Sequence, residues 1–518
     1  MVGQIKIIGA RVYGGASPVD EGGHGSHTAS TAAGRAVAVA GLAGGTARGA
    51  VPGARLAVYK VCHGGRCGEA DILAAFDDGV DVISYSIGST LPSPYFSDAT
   101  AIGSFHAMRR GVVTSAAAGN FGRVTNVALW LLSVAASTID RRSCLLDGLA
   151  GVSLRGKIVL CPKENFLNTG TGPFRAGAAG AVIVGDNPDT AFAVPLPALM
   201  VTQEQFDEIM AYVNSTSNPV GTIDNTETTT DPQAPIAASF SSPGPNLITP
   251  EILKPDISAP GVDIIAAWTP LSSPTGLPDD KRSVLYNIGS GASMACPHVT
   301  GAAAYVKSFH PDWSPAMIMS ALITTASPMG ADAGGELKHC AGQLNPLKAR
   351  DPGLVYDATE RDYVSMLCAQ GYNATQLAVI TGSNSTACAA AESGGGGGGF
   401  SVVADHNNPT MSAHVSPGER FSLSFPRTVT NVGANGAVVY NARIAAVRVP
   451  AAANLSVDVV PSRLEFSTRF RSVAFAVVEA ADEVVSVAVV WSDGGEHEVR
   501  SPVVVYTVDV GTPEEGLS

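Results

Sequence analysis

The sequence has no apolar run long enough to cross a membrane, and it is poor in positive charge. Its 518 residues include 32 Lys and Arg against 45 Asp and Glu, a formal net charge of −13 at pH 7. Negative charge repels phosphate backbones and anionic lipid headgroups. We therefore expect neither nucleic acid nor a membrane as a partner. The opening residues, Met-Val-Gly-Gln-Ile-Lys, also lack the pattern of a signal peptide.

Cysteine is scarce as well, with eight residues in the chain. They stand at positions 62, 67, 144, 161, 296, 340, 368 and 388, a spacing unlike that of zinc ligands. The sequence therefore predicts no metal site and no cofactor. Apolar residues make up 45% of the chain, which is ample for sizeable cores, and the length predicts more than one domain.

The two ends of the chain differ in their apolar patterns. The N-terminal part alternates strands and helices, which predicts an α/β domain with a parallel sheet and catalytic groups at the C-terminal ends of its strands. Strands are predicted at 5–13, 56–61, 80–86 and 112–118, and helices at 27–34 and 70–78. From residue 400 onward, alternating Val-rich segments predict an all-β sandwich.

One stretch brings small residues to a serine just before a helical pattern. Residues 289–298 read Gly-Ser-Gly-Ala-Ser-Met-Ala-Cys-Pro-His, and the sequence from Val299 onward is helical in character. Pro297 fits a first helical turn, where its missing N–H needs no partner. The pattern predicts that Ser293 lies at a loop-to-helix junction, beside free N–H groups that would stabilise an oxyanion. The structural alternative is an N-cap serine of a buried helix.

Two further stretches favour catalysis over that alternative. Residues 22–34 read Gly-Gly-His-Gly-Ser-His-Thr-Ala-Ser-Thr-Ala-Ala-Gly, and residues 115–120 read Ser-Ala-Ala-Ala-Gly-Asn. Together with the stretch around Ser293, they resemble the subtilisin-like serine proteases, or subtilases, and most of all the plant branch. Further matches to this family lie at 57–61, 81–88, 134–140, 254–261, 351–357 and 427–433.

The resemblance implies a subtilisin-like α/β catalytic domain with a parallel sheet, an inserted protease-associated domain and a C-terminal fibronectin-III-like β-sandwich. The insertion would account for the long separation of His27 and Ser293 along the chain. We expect the catalytic domain at 1–150 and 226–350, the protease-associated insertion at 151–225, a connector with a glycine linker at 351–399, and the sandwich at 400–512.

The resemblance also implies a serine endopeptidase that hydrolyses peptide or protein substrates. Ser293 would be the nucleophile, His27 its base, and Asn120 the side-chain donor to the oxyanion. The structural alternatives are a loop histidine and a turn asparagine. The segments that would hold the substrate strand and wall the main specificity pocket are Ser86, Ile87 and Gly88 on one side and Ala117, Ala118 and Gly119 on the other.

One member of the catalytic triad has no match in the sequence. The family places an Asp in an Asp-Ser/Thr-Gly context before the histidine, and the only earlier Asp here is Asp20, in another context. We do not assign Asp20 to the triad, and a metal site of Asp20, His24 and His27 would lack further ligands. Without a carboxylate, the imidazole loses the partner that orients it and fixes its tautomer. Family segments also have no counterpart near 119–126 and between 140 and 156.

Two hypotheses from different functional classes follow. The first is a plant subtilase, truncated or mis-spliced, that acts as a serine endopeptidase without its triad Asp. The second is an inactive subtilase-like protein that still binds peptides, or a non-functional gene product. An unrelated α/β hydrolase would carry a Gly-x-Ser-x-Gly elbow with its histidine after the serine, whereas here His27 precedes Ser293.

The resemblance further implies a secreted, extracellular protein, a setting in which disulfides form. Candidate disulfides join cysteines close in sequence, namely Cys62–Cys67, Cys144–Cys161 and Cys368–Cys388. Cys296 would be a small buried packing residue behind Ser293, and Cys340 has no assigned partner. Asn-x-Ser/Thr sequons give the glycosylation candidates Asn214, Asn373, Asn384 and Asn454. Some family members dimerise through the protease-associated domain, so a homodimer stays open.

Overall fold

The N-terminal part of the computed structural model alternates strands and helices, as the sequence predicts. The structure describes residues 6–507 except for 40–44, 78, 121, 138, 141–152, 163–170, 185–187, 190–192, 225–233, 278, 330–334, 384–387, 389–402, 416–421, 434–436, 450–455, 467–469 and 479–484. The first elements are β1 (Ile7–Val12), α1 (His24–Ala33), β2 (Val37–Val39), β3 (Gly45–Ala47), β4 (Leu56–Lys60), β5 (Cys62–His63), β6 (Arg66–Cys67), α2 (Glu69–Phe76), β7 (Val82–Tyr85), α3 (Ala99–Arg109), β8 (Val113–Ala117), β9 (Leu132–Ser137) and β10 (Ile139–Asp140).

Helix α1 begins at His24, three residues before the predicted start at His27. The carboxylate of Asp20 explains the difference, because it accepts hydrogen bonds from the backbone N–H groups of Gly23 (2.9 Å) and Ser26 (2.7 Å). These bonds satisfy N–H groups that the first turn of a helix leaves without partners. Although burial favours the neutral acid, these N–H groups lower the pKa of Asp20 below its usual value. Asp20 therefore has a local role at the start of α1.

The next elements form a small α/β unit, called the inserted unit below. They are β11 (Ile158–Cys161), α4 (Thr171–Arg175), β12 (Gly180–Val184), β13 (Pro188–Asp189), β14 (Ala198–Val201) and α5 (Gln203–Ser215). Strand β12 is the centre of a parallel sheet in the order β11–β12–β14 and is buried along its whole length. Its apolar run suits that central place. Thr202 and Gln205 form a capping box that starts α5.

The chain then completes a four-stranded parallel sheet in the order β15–β9–β8–β7. The elements of this part are β15 (Ile257–Pro260), β16 (Ile264–Ala267), β17 (Tyr286–Gly289), α6 (Ala292–Phe309), α7 (Pro315–Thr324), α8 (Glu336–His339) and α9 (Pro346–Ala349). Helix α6 packs across all four strands of the sheet. Its buried residues Ala295, Val299 and Val306 share a core with Val113 and Val134 of the two central strands.

Strand β7 is the last strand of this sheet and, in the described part of the chain, pairs only with β8. Strands β1 and β4 form a separate parallel pair, and β1 is exposed along most of its length. Val61, which follows β4, nevertheless packs in the same core as Tyr85 of β7. The two sheets thus share a core, while β7 and β1–β4 share no ladder of hydrogen bonds.

A connector leads into the predicted C-terminal sandwich and contributes a strand to it. These elements are β18 (Leu354–Tyr356), α10 (Glu360–Ala369), α11 (Ala374–Thr381), β19 (Met411–His414), β20 (Ser422–Asn431), β21 (Val438–Arg448), β22 (Ser456–Val460), β23 (Arg463–Phe466), β24 (Phe470–Val478), β25 (Val485–Ser492) and β26 (Glu498–Tyr506). The two sheets have the orders β18–β20–β24–β22 and β19–β26–β25–β21–β23. Phe425, Tyr440, Leu464 and Trp491 lie buried in their common core. The glycine run 394–399 lies outside the described residues.

The structure confirms two predicted disulfides, Cys62–Cys67 and Cys368–Cys388. Cys161 is also disulfide-bonded, and its predicted partner, Cys144, lies outside the described residues. Cys296 and Cys340 are free and buried, which confirms the packing role predicted for Cys296. Burial raises the pKa of both thiols.

Two of the four sequons lie in described residues, and both asparagines are exposed. Asn214 is in the last turn of α5, and Asn373 is the N-cap of α11, where its Oδ1 accepts a hydrogen bond from the Gln376 N–H (3.0 Å). Asn384 and Asn454 fall outside the described residues. Among the helices that the structure describes, none is long and apolar enough to cross a membrane.

Candidate active site

Glycine at position 291 allows α6 to start where the sequence predicts a junction. Gly291 has a φ of 155°, a conformation that other residues rarely adopt, and its N–H donates to the Gly261 carbonyl (2.7 Å). A Cβ at Gly291 would lie 3.0 Å from Nδ2 of Asn120, so the close approach of that amide also favours glycine. Ser293 consequently lies in the first turn of α6, at the positive end of the helix dipole.

Pro297 lies in the second turn of α6 and not in the first turn as predicted. In a regular helix, the N–H of residue 297 would bind the Ser293 carbonyl, and proline has no N–H. The hydroxyl of Ser86 donates to that carbonyl instead (2.9 Å). In return, Oγ of Ser293 donates to the Ser86 carbonyl (3.3 Å). Ser86 therefore holds both the backbone and the side chain of Ser293.

Asn120 follows β8 and lies half-buried beside the start of α6. Its Oδ1 accepts a hydrogen bond from the Ala292 N–H (2.5 Å), which ties the side-chain amide to the helix terminus. The donor nitrogen, Nδ2, is then the atom nearest to the place that a Cβ on Gly291 would occupy. The structure thus brings Asn120 and Ser293 to the same helix end, and the role of Asn120 as oxyanion donor stays a prediction.

His27 is completely buried in α1, which packs against α6. Its Nε2–H donates to the Ile264 carbonyl (2.8 Å), and its ring meets Trp268 edge-on with centroids 6.2 Å apart. Because a carbonyl only accepts, Nε2 carries the proton and Nδ1 is the unprotonated nitrogen of the neutral ring. Nδ1 has no hydrogen-bond partner among the described residues.

Burial lowers the pKa of His27 below its ordinary value by disfavouring the charged ring. The backbone carbonyls of Ile264 and Asn287 act in the opposite direction, because a nearby carbonyl oxygen favours the charged ring. Nearby His24 and His298 again lower the pKa, since a second positive charge would be repelled. The imidazole is therefore neutral at pH 7, the state that a general base requires.

No hydrogen bond joins His27 to Ser293, although both side chains lie in the described part of the chain. Nε2 is occupied by Ile264, and Oγ of Ser293 is occupied by Ser86. A histidine serves as base to a serine when Nε2 is free and an acceptor holds the proton on Nδ1. In the described residues, Nε2 of His27 therefore binds a carbonyl and not the Ser293 hydroxyl.

The predicted substrate-binding segments lie side by side at the C-terminal edge of the four-stranded sheet. Strands β7 and β8 pair in parallel up to Tyr85 and Ala116, and the two segments, 86–88 and 117–119, lie at or just beyond that point. The edge is where parallel sheets carry catalytic groups. Gly119 has a φ of 112°, and a Cβ there would lie 2.8 Å from Oγ of Ser242.

Sequence reasoning missed two residues that shape this site. Trp268 covers the ring of His27, and its Nε1–H donates to the carbonyls of Ser272 (3.2 Å) and Ser273 (3.3 Å). The one signal in the sequence that could have pointed to Trp268 is the rarity of tryptophan, with four in the chain. Asn126 lies beneath the two substrate-binding segments, and nothing in its sequence neighbourhood marks it.

Known protein families and relatives match this chain along most of its length. Residues 10–363 match the subtilase family, peptidase S8, and residues 405–505 match a fibronectin type-III domain. The chain is a subtilase. Subtilisin-like protease SBT4.3 of Arabidopsis thaliana is 43% identical over 97% of this chain and 76% of that protein. From the same plant, subtilisin-like proteases SBT4.4 and SBT4.8 are 40% and 42% identical, over 97% of this chain and 76% and 74% of their own lengths.

This subtilase is shorter than the region that it matches. The similarity to SBT4.3 extends over 572 residues, whereas the whole chain here has 518, so that relative contains residues without a counterpart. Such missing segments are predicted near 119–126 and between 140 and 156, and those locations stay predictions.

Proposed function

We propose that this subtilase is a serine endopeptidase with Ser293 as nucleophile, His27 as base and Asn120 as oxyanion donor. The observation that carries the proposal is the placement of Ser293 in the first turn of α6, held by Ser86 and beside the Asn120 amide. Negative charge that develops on the substrate oxygen would meet helix N–H groups and that amide. Donors fixed in advance where charge develops lower the barrier to acyl transfer.

The reaction would begin when Oγ of Ser293 attacks the substrate carbonyl carbon and passes its proton to His27. For this step, the His27 ring must leave Ile264, carry its own proton on Nδ1 and present Nε2 to Oγ. The protonated ring then gives its proton to the leaving amine. Water attacks the acyl-enzyme with the same help and releases the acid. The neutral resting state of His27 suits the first transfer.

We expect turnover to be slow, because nothing among the described residues accepts a hydrogen bond from Nδ1 of His27. The proton then stays on Nε2, the wrong nitrogen for a base toward Ser293. In a bacterial subtilisin, removal of the triad Asp alone lowers kcat about 3 × 10⁴-fold. If the loss of rate is so large that no turnover can be measured, the chain would be the inactive protein that still binds peptides.

The test is reaction of the purified chain with a small fluorophosphonate probe. We expect slow labelling that Ser293→Ala abolishes. Ser308→Ala, which removes an exposed hydroxyl near the other end of α6, should label like the unsubstituted chain and serves as the matched control. A chain that melts cooperatively and is not labelled would rule out the enzyme and favour the peptide-binding alternative.

The same proposal includes the partners, the location and the domains of the protein. The partners would be peptide or protein substrates, and the protein would be extracellular and glycosylated, with the cysteines paired as predicted. The inserted unit would be the protease-associated domain at 151–225, between catalytic parts at 1–150 and 226–350. A homodimer through this domain would give twice the monomer mass in sedimentation equilibrium, and the monomer mass alone would contradict it.

A further inference from the structure

Asn126 joins the two segments that flank the substrate cleft. Its Nδ2 donates one hydrogen bond to the Ile87 carbonyl and one to the Ala117 carbonyl, each 2.8 Å long. The residue is buried, with 6% of its surface exposed. One primary amide has two N–H groups in a fixed fork, so it sets the distance between the two carbonyls that it binds.

The local chain conformation is suited to asparagine. Asn126 has a φ of 56°, in the left-handed region that asparagine tolerates better than most residues. The preceding residues run beneath the cleft, since the Thr125 N–H donates to the Ala118 carbonyl (2.9 Å). A Cβ on Gly88 or Gly119 would lie 3.0 Å or 3.5 Å from Oγ1 of Thr125. Thr125 and Asn126 therefore lie under both walls.

The sheet itself does not hold the walls together at this level. The ladder between β7 and β8 ends at the pair Tyr85–Ala116, so Ile87 has no partner in β8. Burying a carbonyl without a hydrogen-bond donor costs free energy. A side-chain amide can supply that donor in place of a neighbouring strand. The Asn126 amide supplies the link between the walls that the ladder no longer provides.

We propose that Asn126 is a positioning residue that sets the width of the cleft and so selects which substrate side chain fits between 86–88 and 117–119. The inference rests on the proposed function, because it takes these segments as the walls of the substrate cleft. It adds a determinant of substrate preference that lies outside both walls. Aspartate would keep the shape but place an acceptor against two carbonyls, and glycine would keep the backbone conformation but remove the link.

The experiment measures peptide affinity in a Ser293→Ala background, so that no cleavage intervenes. The probes are fluorescein-tagged octapeptides that differ only in one central residue, Ala, Leu or Phe, and their Kd values come from fluorescence polarisation. We expect Asn126→Gly to weaken the best of the three about tenfold and to bring the three affinities within about threefold of one another, the scale of losing two hydrogen bonds. Asn126→Asp should lower the peptide affinity further than Asn126→Gly does.

The matched control is Asn408→Ala, which removes a buried amide that binds Thr410 (2.7 Å) and neither wall. It should lower Tm comparably and leave the order and spread of the three affinities unchanged. An unchanged spread in Asn126→Gly, an equal change in the control, or no peptide binding at all would overturn the proposal. Fluorophosphonate labelling of the Ser293 chain reports the chemistry separately, so a chain that binds peptides selectively but is not labelled would fail only the proposed function.

Discussion

Ser86 and Ser293 exchange two hydrogen bonds, each through its hydroxyl and its carbonyl. The Ser86 hydroxyl reaches the Ser293 carbonyl at 2.9 Å, and the Ser293 hydroxyl reaches the Ser86 carbonyl at 3.3 Å. Pro297 makes the first bond available, because it leaves the Ser293 carbonyl without a helical donor. Ser86 also begins one of the two predicted substrate-binding segments, so a substrate bound there would contact the residue that holds Ser293.

We predict that Ser86→Ala slows fluorophosphonate labelling of Ser293 by about three- to tenfold, because one hydrogen bond that positions the nucleophile contributes about 1 kcal/mol. The Ser293 carbonyl would be left without its donor. The rate constant for labelling is the measurement. Ser89→Ala is the control, because its hydroxyl binds the nearby Leu91 carbonyl in an exposed loop. Equal rates in both variants would contradict the prediction.

The pH dependence of labelling should report His27. Its pKa lies below the ordinary value of about 6.5, because burial disfavours the charged ring. The neutral base therefore persists to lower pH, and the labelling rate should rise with pH with a midpoint below about 6.5. A rate profile between pH 4.5 and 8.5 measures this. A midpoint at or above the ordinary value would contradict the prediction.

Lys254 and Asp256 form a buried ion pair at the start of β15, with Nζ and Oδ2 2.6 Å apart. Lys254→Met would leave the Asp256 carboxylate buried with the Ser133 N–H (2.7 Å) as its one remaining donor among the described residues. We expect a loss of about 3–5 kcal/mol in unfolding free energy, and recovery of much of it in Lys254→Met/Asp256→Leu. Chemical denaturation measures both. Loss of the exposed pair Arg443–Glu498 should cost less than about 1 kcal/mol.

His497 lies between two carboxylates, with Nδ1 2.6 Å from Asp493 and Nε2 3.3 Å from Asp351. Burial opposes its protonation, but the hydrogen bonds to Asp493 and Asp351 raise its pKa overall. A folded-state pKa above the unfolded one stabilises the protein at low pH, and that contribution disappears as pH rises through the folded-state value. The contacts of His497 with Asp351 and Asp493 join the connector to the β25–β26 hairpin.

We therefore predict that His497→Gln destabilises the protein more at pH 5.5 than at pH 8.5. The measurement is the difference in unfolding free energy from the unsubstituted chain at each pH. His414→Gln, which removes an exposed imidazole of β19, is the control measured in the same way. An equal loss at both pH values would mean that His497 acts through packing and not through charge.

Local sequence patterns correctly predicted the features that depend on residues close together in the sequence. The small residues before Ser293 correctly predicted where α6 starts, and the alternating Val-rich segments correctly predicted the sandwich. Where a distant or capping group intervenes, the prediction was wrong. Helix α1 starts at His24 because Asp20 reaches forward to its first turn, and Pro297 is accommodated in the second turn of α6 because Ser86 satisfies the freed carbonyl.

The sequence by itself determined the family, the alternating strands and helices of the N-terminal part, the C-terminal sandwich and the disulfides Cys62–Cys67 and Cys368–Cys388. Short motifs, apolar periodicity and cysteines close together in the chain indicate these features. Only the tertiary structure decided that Nε2 of His27 faces Ile264 and that Asn126 bridges Ile87 and Ala117. These contacts join residues on separate elements and loops. Their geometry depends on how those elements pack, and packing is a property of the whole fold that no local pattern contains.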